Sequence, residues 1–429
     1  MANKKMTLEE KLGEAIVKDE PYEVPENWVW CKLKFIGDIK GGKRLPKGKS
    51  LLDYKTDFPY IRVADFEEGS INLDNVKFLD EDSYTKISNY TISSKDVYVS
   101  IAGTIGKVGI IPKCLNGANL TENAAKITNI VLVSNKYLYY LLSSEYYQRK
   151  MQEASIATTQ SKLALYKIGD LVLPIPSSKE QQRIVDKIQS LFEKLDKAKE
   201  LIEEARDDFE KRKSAIVYKI INKFGNEKIK LKNCIRFITD KKEPVGGDVY
   251  IGLENMGKSI GIISYSVAEN VKSTKTKFNK GDILYGRLRP YLDKHDVADR
   301  SGICSTDILV MRSNGKFEAR YIDYILGTLE LIRYSNENSS GINLPRVSSK
   351  ILGEYEIPNI ELDEQKKVVA ILNKIFEQED KIQELTALEE QIELIKKSIL
   401  AKAFRGQLGT NCPEEESALE LLKEILSKE

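Results

Sequence analysis

The chain has 429 residues, 41% hydrophobic and 31% charged, with a formal net charge of +2. That length exceeds what one hydrophobic core usually supports, so two or more domains are expected, each able to fold without disulfides or metals. Five scattered cysteines without a CxxC pair exclude a disulfide framework, and the near-balance of charge says nothing about a polyanionic partner until the cations are located.

In chain order, the N-terminal MANKKMTLEEKLGEAIV lacks the apolar core and cleavage site of a signal peptide. No apolar run approaches the ~18 residues needed to span a bilayer, so a cytoplasmic protein with no membrane association is expected. The sequons at Asn89, Asn119 and Asn338 are then chance matches. Residues 1–175 read as a globule of short β-rich runs with glycine turns. Its segment KGGKRLPKGK, Lys40 to Lys49, holds five basic residues and no acid, with glycines and a proline that keep it a loop. Such a loop suits phosphates or the guanine edge that arginine grips in bidentate fashion, although most charge runs are solvated surface. GTIGKVG, Gly103 to Gly109, resembles a phosphate loop only superficially, because the four-residue gap before Gly-Lys and the following Ser/Thr are missing.

A long amphipathic helix follows over 176–222, a second globule over 223–357, a second long helix over 358–406 and a tail over 407–429. The second half repeats the first at an offset of 184, Glu180-Gln181 matching Glu364-Gln365. Tyr137 pairs with Tyr321, Pro174 with Pro358, Phe192 with Phe376 and Lys213-Ser214 with Lys397-Ser398 at that same offset. Apolar positions step by three and four through Ile184, Ile188, Leu191, Leu195, Ala198, Ile202, Ala205 and Phe209, and again through Val368, Leu372, Ile375, Ile382, Leu385, Leu388, Ile392, Ile395 and Ile399. A stripe this narrow predicts a coiled-coil seam between the two helices. About 40 helical residues span ~60 Å. A globule with a radius of gyration of ~14 Å bridges that length poorly, which favours an antiparallel pair. The expected fold class is α+β: two mixed α/β globules at opposite ends of an antiparallel coiled coil, related by a pseudo-two-fold repeat.

In the second globule, YGRLRPYLDKH, Tyr285 to His295, is expected to place Arg287 and Arg289 on one side of a strand, followed by a proline and an aromatic. A charged strand edge protected against aggregation has the same appearance. Polar loops stand in matching places of the repeat, ATTQSKL at Ala157 to Leu163 and GINLPRV at Gly341 to Val347. His295 is the only histidine, which excludes catalytic triads, histidine metal sites and most acid–base dyads. No methyl-donor pocket or catalytic motif is present, so no catalysis is expected of this chain.

Several phrases together resemble one family: VPENWVWCKL from Val24, GKRLPKGKS from Gly42, PYIRVADF from Pro59, VSIAGTIGKVGII from Val99, NLTENAAKI from Asn119, the doubled LPIPSSKEQQRIV and IPNIELDEQKKVV, and ILAKAFRGQL from Ile399. The chain is similar over nearly its whole length to the specificity subunits of type I restriction-modification enzymes. The resemblance implies two target recognition domains, two spacer helices, a bipartite asymmetric target in double-stranded DNA, and no cofactor in this chain. It also implies two modification subunits carrying S-adenosylmethionine for adenine methylation, and restriction or translocase subunits with ATP and Mg. The tail, with EEESALELLKEIL from Glu414, resembles a terminal docking helix. DNA-contact candidates follow from the loops and the repeat: Lys43, Arg44, Lys47, Lys49, Arg62, Lys107, Gln160 and Lys162 in the first globule, and Arg287, Arg289, Tyr291 and Arg346 in the second. The rival readings are a coiled-coil adaptor that binds protein, a nuclease or methyltransferase in its own right, and a solitary modification system without restriction.

Overall fold

The structure, a computed structural model, describes residues 7–155, 162–225, 227–269, 273–376 and 381–428; the side chains of residues 210, 381–386 and 428 lie outside that description. The chain divides into two compact units, Met1–Lys197 with Gln391–Glu429, and Ala198–Glu390.

In the first unit, an antiparallel sheet runs in the order Asp38–Gly41, Ala124–Thr128, Val97–Ser100, Val108–Gly109. A second sheet runs Lys77–Phe78, Pro59–Ile61, Ala118–Leu120, Thr91–Ile92, with a parallel pair at Pro59–Ile61 and Ala118–Leu120. The strand Val97–Ser100 shows why two sheets form. It is buried at every position, and its side chains alternate: Val97 and Val99 enter a core with Ile127, Tyr137 and Leu141, whereas Tyr98 enters a second core with Ile61, Phe66 and Leu120. A strand covered on both faces requires the unbroken apolar run that VYVS supplies.

The second unit repeats this plan. Its antiparallel sheet runs Ile235–Ile238, Ile308–Ser313, Ile283–Gly286, His295–Val297, and its mixed sheet runs Lys241–Lys242, Lys275–Phe278, Gly302–Cys304, Val249–Ile251, Ser266–Val267. The parallel pair recurs at Val249–Ile251 with Gly302–Cys304. Alternation recurs too, with Ile283 and Tyr285 in one core and Leu284 in the other. The duplication recognised in the helices therefore extends through both sheets, where sequence identity had faded.

The repeated glutamine explains why the Glu-Gln phrase is kept. Gln181 is buried at the start of the long helix Ser178–Ile221; its Oε1 accepts from the Ser134 amide (3.1 Å), and its Nε2 donates to the carbonyls of Leu132 (2.8 Å) and Pro176 (3.1 Å). Gln365 does the same, accepting from the Glu318 amide (2.7 Å) and donating to Ile360 (2.8 Å) and Lys316 (3.2 Å). The paired tyrosines also reach equivalent carbonyls, Tyr137 to Pro174 at 2.8 Å and Tyr321 to Pro358 at 2.9 Å. Each buried side chain thus satisfies backbone groups that would otherwise be orphaned where helix meets globule.

Helix pairing is antiparallel within each unit. In the second, Arg206 meets Glu389 at 3.0 Å while the later Lys213 lies over the earlier Phe376. In the first, Asp196 binds Lys396 at 2.6 Å, and the earlier Ile184 and Ile188 share a core with the later Leu400 and Ala403. The seam is less complete than its periodicity suggests: Ile184, Ile188, Val368, Leu372 and Ile392 are buried, but Ala205, Leu388 and Ile395 are exposed. Two helices cover each other on one side only, and along these stretches polar contacts join them, Arg206 to Glu389 and the Lys396 ammonium over the Phe192 ring. The side chains of Ile382 and Leu385, expected in the seam, lie outside the described ones. The second helix is described as Leu362–Phe376 and Lys381–Ala403.

The tail turns back onto the first unit. Its helix Ala418–Lys428 buries Ala418, Leu422 and Leu426, spaced by four, and contacts the N-terminal helix Leu8–Ala15, which opens on a Thr7–Glu10 capping box. Arg183 joins buried Glu180 (2.7 Å) to Glu415, while Thr410 donates to Glu180 at 2.6 Å. No helix among the described residues is long and apolar enough to cross a membrane.

Candidate nucleic-acid interface

The basic loop begins where Asp38–Gly41 ends. A Cβ on Gly42 would stand 2.1 Å from the Thr121 carbonyl oxygen and 2.3 Å from that of Leu120, so only glycine lets the loop lie against the end of Ala118–Leu120. Lys43 then donates its amide to Leu120 (2.8 Å), and its ammonium lies over the Tyr90 ring. Arg44 projects into solvent, its side chain 79% exposed, and its Nε donates to Glu122 at 2.8 Å. Glu122 is anchored to the frame: Thr121 Oγ1 donates to it at 3.0 Å, and Tyr60 Oη reaches it at 3.5 Å while donating to the Lys43 carbonyl at 2.9 Å. Burial pushes the Glu122 carboxyl up, but the hydrogen bonds from Arg44, the backbone and Thr121, with the Arg44 charge, together outweigh it and hold the group below its ordinary value; the Arg44 hydrogen bond also raises Arg44. One cleft is lined by Gly42, Lys43, Arg44, Ile101, Glu122 and Lys162.

Of the remaining first-unit candidates, Lys47 is exposed along the loop, and Lys49 is drawn away to Asp80 (3.0 Å) and Asp82 (2.9 Å). Arg62 turns inward, binding buried Asp65 (2.6 Å) and the Asn75 carbonyl (2.7 Å), and so clips its own strand end. Lys107 sits on the turn joining Val97–Ser100 to Val108–Gly109 and donates to the Phe66 carbonyl at 3.1 Å. Gln160 lies outside the described residues.

The second unit builds its cluster on the same backbone frame. In the first unit the Ile101 amide donates to Asn123 (2.8 Å), Leu163 donates to Ile101 (2.9 Å), and Ala102 bridges Lys162. In the second, Arg287 donates to Asp307 (2.9 Å), Val347 donates to Arg287 (3.1 Å), and Leu288 bridges Arg346. Lys162 and Arg346, 184 residues apart, therefore occupy equivalent places. Arg346 grips Asp307 through Nε (2.8 Å) and Nη2 (3.3 Å), which raises the guanidinium above its ordinary value. Arg287 Nε is buried and finds no acceptor among the described residues.

The expected strand through Arg287 and Arg289 does not form. Pairing stops at Gly286, and Arg289 takes a left-handed backbone (φ 52°) to cap the short turn Pro290–Leu292, so the two arginines do not share a strand face. Pro290 has no amide to donate to a sheet ladder, so the strand cannot continue through it as a central strand. Arg289 is instead held by its own amide on the Pro345 carbonyl (2.7 Å), and both Arg289 and Tyr291 are exposed.

Behind that turn lies the only histidine. His295 is buried between Asp323 (Nδ1, 2.7 Å) and Asp293 (Nε2, 3.1 Å), and Arg320 ties Asp323 (2.8 Å) to Asp296 (2.7 Å). Burial opposes the charged imidazole, but the two aspartates outweigh it and lift His295 to about 10; both aspartates are correspondingly lowered. It is the cation of a buried network, a role its solitude in the sequence did not disclose.

The sequence reading missed Glu122 and Asp307. Each occupies the three-residue connection that follows a parallel-paired strand, Thr121–Asn123 and Ser305–Asp307, and each holds an arginine from a distant loop. Basic side chains thus gather on one equivalent backbone frame in two units that otherwise differ.

The family model described as "Type I restriction modification DNA specificity domain" matches twice, over residues 25–206 and 223–394. The chain belongs to that family. It is 25% identical over 320 residues to the type I restriction enzyme EcoDI specificity subunit of Escherichia coli, covering 65% of this chain and 71% of that one. It is 27% identical over 222 residues to the MjaVIII specificity subunit of Methanocaldococcus jannaschii, covering 50% and 49% respectively. A chain from a solved structure concerned with complex assembly in the type I R-M system shares the fold, with a TM-score of 0.58 at 18% identity over 90% of this chain and 100% of that one. The protein is therefore a DNA-recognition subunit of a type I restriction-modification complex and not its catalytic part, with DNA and methylase or restriction subunits as partners.

Proposed function

We infer that the two units read two unlike half-sites of one asymmetric, bipartite target in double-stranded DNA, separated by a gap whose sequence is not read. The observation that carries this is the shared frame with unshared side chains. One backbone scaffold presents Lys43, Arg44 and Lys162 in the first unit and Arg287, Arg289 and Arg346 in the second. A common frame gives a common docking geometry, and differing side chains on base edges give differing sequences. Two modification subunits bind the chain and carry S-adenosylmethionine for adenine methylation, restriction subunits bring ATP and Mg, and this chain carries no cofactor.

The test is half-site selectivity in the complex with the modification subunits. Arg44→Ala should relax one half-site and Arg346→Ala the other, each by about 1–3 kcal/mol against the wrong base. Equal losses on both half-sites from either change would contradict the assignment.

A further inference from the structure

Glu122 and Asp307 set a puzzle. A carboxylate beside a DNA contact repels phosphate, and a pair whose guanidinium keeps 79% (Arg44) or 37% (Arg346) of its side-chain surface open to solvent contributes little to folding, because solvent screens it. Yet the arrangement occurs twice, built from unrelated positions. Arg44 comes from the loop after Asp38–Gly41, whereas Arg346 comes from the segment before Ser349–Glu354, and the carboxylates sit one register apart on equivalent connections. The connections are equivalent in detail: Thr121 donates to Ile61 (3.0 Å) as Ser305 does to Ile251 (2.8 Å), and Ala124 donates to Thr121 (3.1 Å) as Ile308 does to Ser305 (3.0 Å).

We propose that Glu122 and Asp307 are specificity-determining residues: with its arginine, each forms a donor–acceptor pair that reads a G·C base pair in the major groove of its half-site and discriminates against non-specific duplex. This rests on the reading of both units as DNA readers. In the major groove guanine offers two acceptors, N7 and O6, and its cytosine partner offers one donor, the N4 amine. A guanidinium beside a fixed carboxylate complements that pattern on both bases. On non-cognate DNA the same carboxylate works the other way. It competes with phosphate for the guanidinium and places a negative charge against the backbone, so the arginine contributes less to sequence-independent binding. Anchoring matters here: Thr121 and Tyr60 hold Glu122 in place, so the carboxylate does not have to be ordered when DNA arrives.

The experiment uses the full chain assembled with its modification subunits, comparing Glu122→Gln, Asp307→Asn and the unaltered protein. Two quantities are read: affinity for a random duplex as a function of salt, and the methylated motif across a genome. Each variant should bind random duplex more tightly and steepen the slope of log affinity against log salt by about 0.9, the value of one added phosphate contact. Each should lose about 5- to 100-fold discrimination at one G·C position, Glu122→Gln in one half-site and Asp307→Asn in the other. If a variant melts early, Arg44→Ala or Arg346→Ala reads the same G·C position from the other member of the pair. Unchanged motif and unchanged slope would overturn the proposal while the two-reader function stands. An unaltered protein that yields no bipartite motif would instead overturn the function beneath it.

Discussion

Replacing His295 by glutamine removes the cation between buried Asp323 and Asp293, leaving Arg320 beside Asp323 and Lys213 near Asp293 as the remaining cations. Breaking a buried ion pair from one side typically costs about 3–5 kcal/mol. The imidazole gives an independent figure: lifted from 6.5 to about 10, it corresponds to a stabilisation on the order of 5 kcal/mol. The two routes agree, so the loss should be large enough to unfold or loosen this unit selectively. The pH dependence has a definite sign. A raised folded-state value means the stabilisation is complete below about 6.5, where the unfolded histidine is also charged, and is lost progressively as pH climbs toward about 10. The depressed aspartates act oppositely, losing their contribution as pH falls below the ordinary carboxylate range. Pulse proteolysis in urea, following peptides of the second unit at pH 6, 8 and 9.5, should show a gap between wild type and His295→Gln that is widest at pH 6 and narrows with alkalinity. Because Asp293 closes the turn carrying Arg289 and Tyr291, the variant should also weaken binding to one half-site. A gap below about 1 kcal/mol at every pH, on the scale of an exposed pair, would refute the reasoning.

Gln365→Ala should cost about 2–4 kcal/mol in the second unit, since it strands the Glu318 amide and two carbonyls, and Gln181→Ala should do the same in the first; urea denaturation with unit-resolved proteolysis measures both. Hydrogen bonds from Arg183 and Ser177 depress Glu415 to about 2, so its hold on the tail is complete above about 4.5 and is lost as pH falls toward 2. Amide exchange in Ala418–Lys428, corrected for intrinsic rates, should rise over that window, and Arg183→Ala should raise it at neutral pH; unchanged protection in the variant would remove the lock from consideration.

The helices and the duplication were legible because their signals are local and long: a period of three and four residues over many turns, and a glutamine and a tyrosine repeated at fixed offset. The sheets were not, since most strands span two to four residues, such as Val108–Gly109 and Lys241–Lys242, too short for alternation to declare itself. Their correspondence emerges only from pairing order. The charge run marked a loop that lines a cleft, but not how each of its side chains is engaged. Arg44 and Lys43 stand in the cleft, while Arg62 and Lys49 spend their charge on nearby aspartates. Glu122 and Asp307 carried no signal at all, because each meets its arginine across tens of residues and a lone acid in a short connection is ordinary in sequence.

The central claim, that this chain chooses a two-part DNA sequence for its partners to act on, is tested most directly by mapping methylated adenines genome-wide by single-molecule sequencing, with the chain present, deleted, or altered at Arg44 or Arg346. An asymmetric bipartite motif that disappears on deletion, and relaxes in opposite halves in the two variants, is the predicted result. A methylation pattern indifferent to the deletion would contradict it.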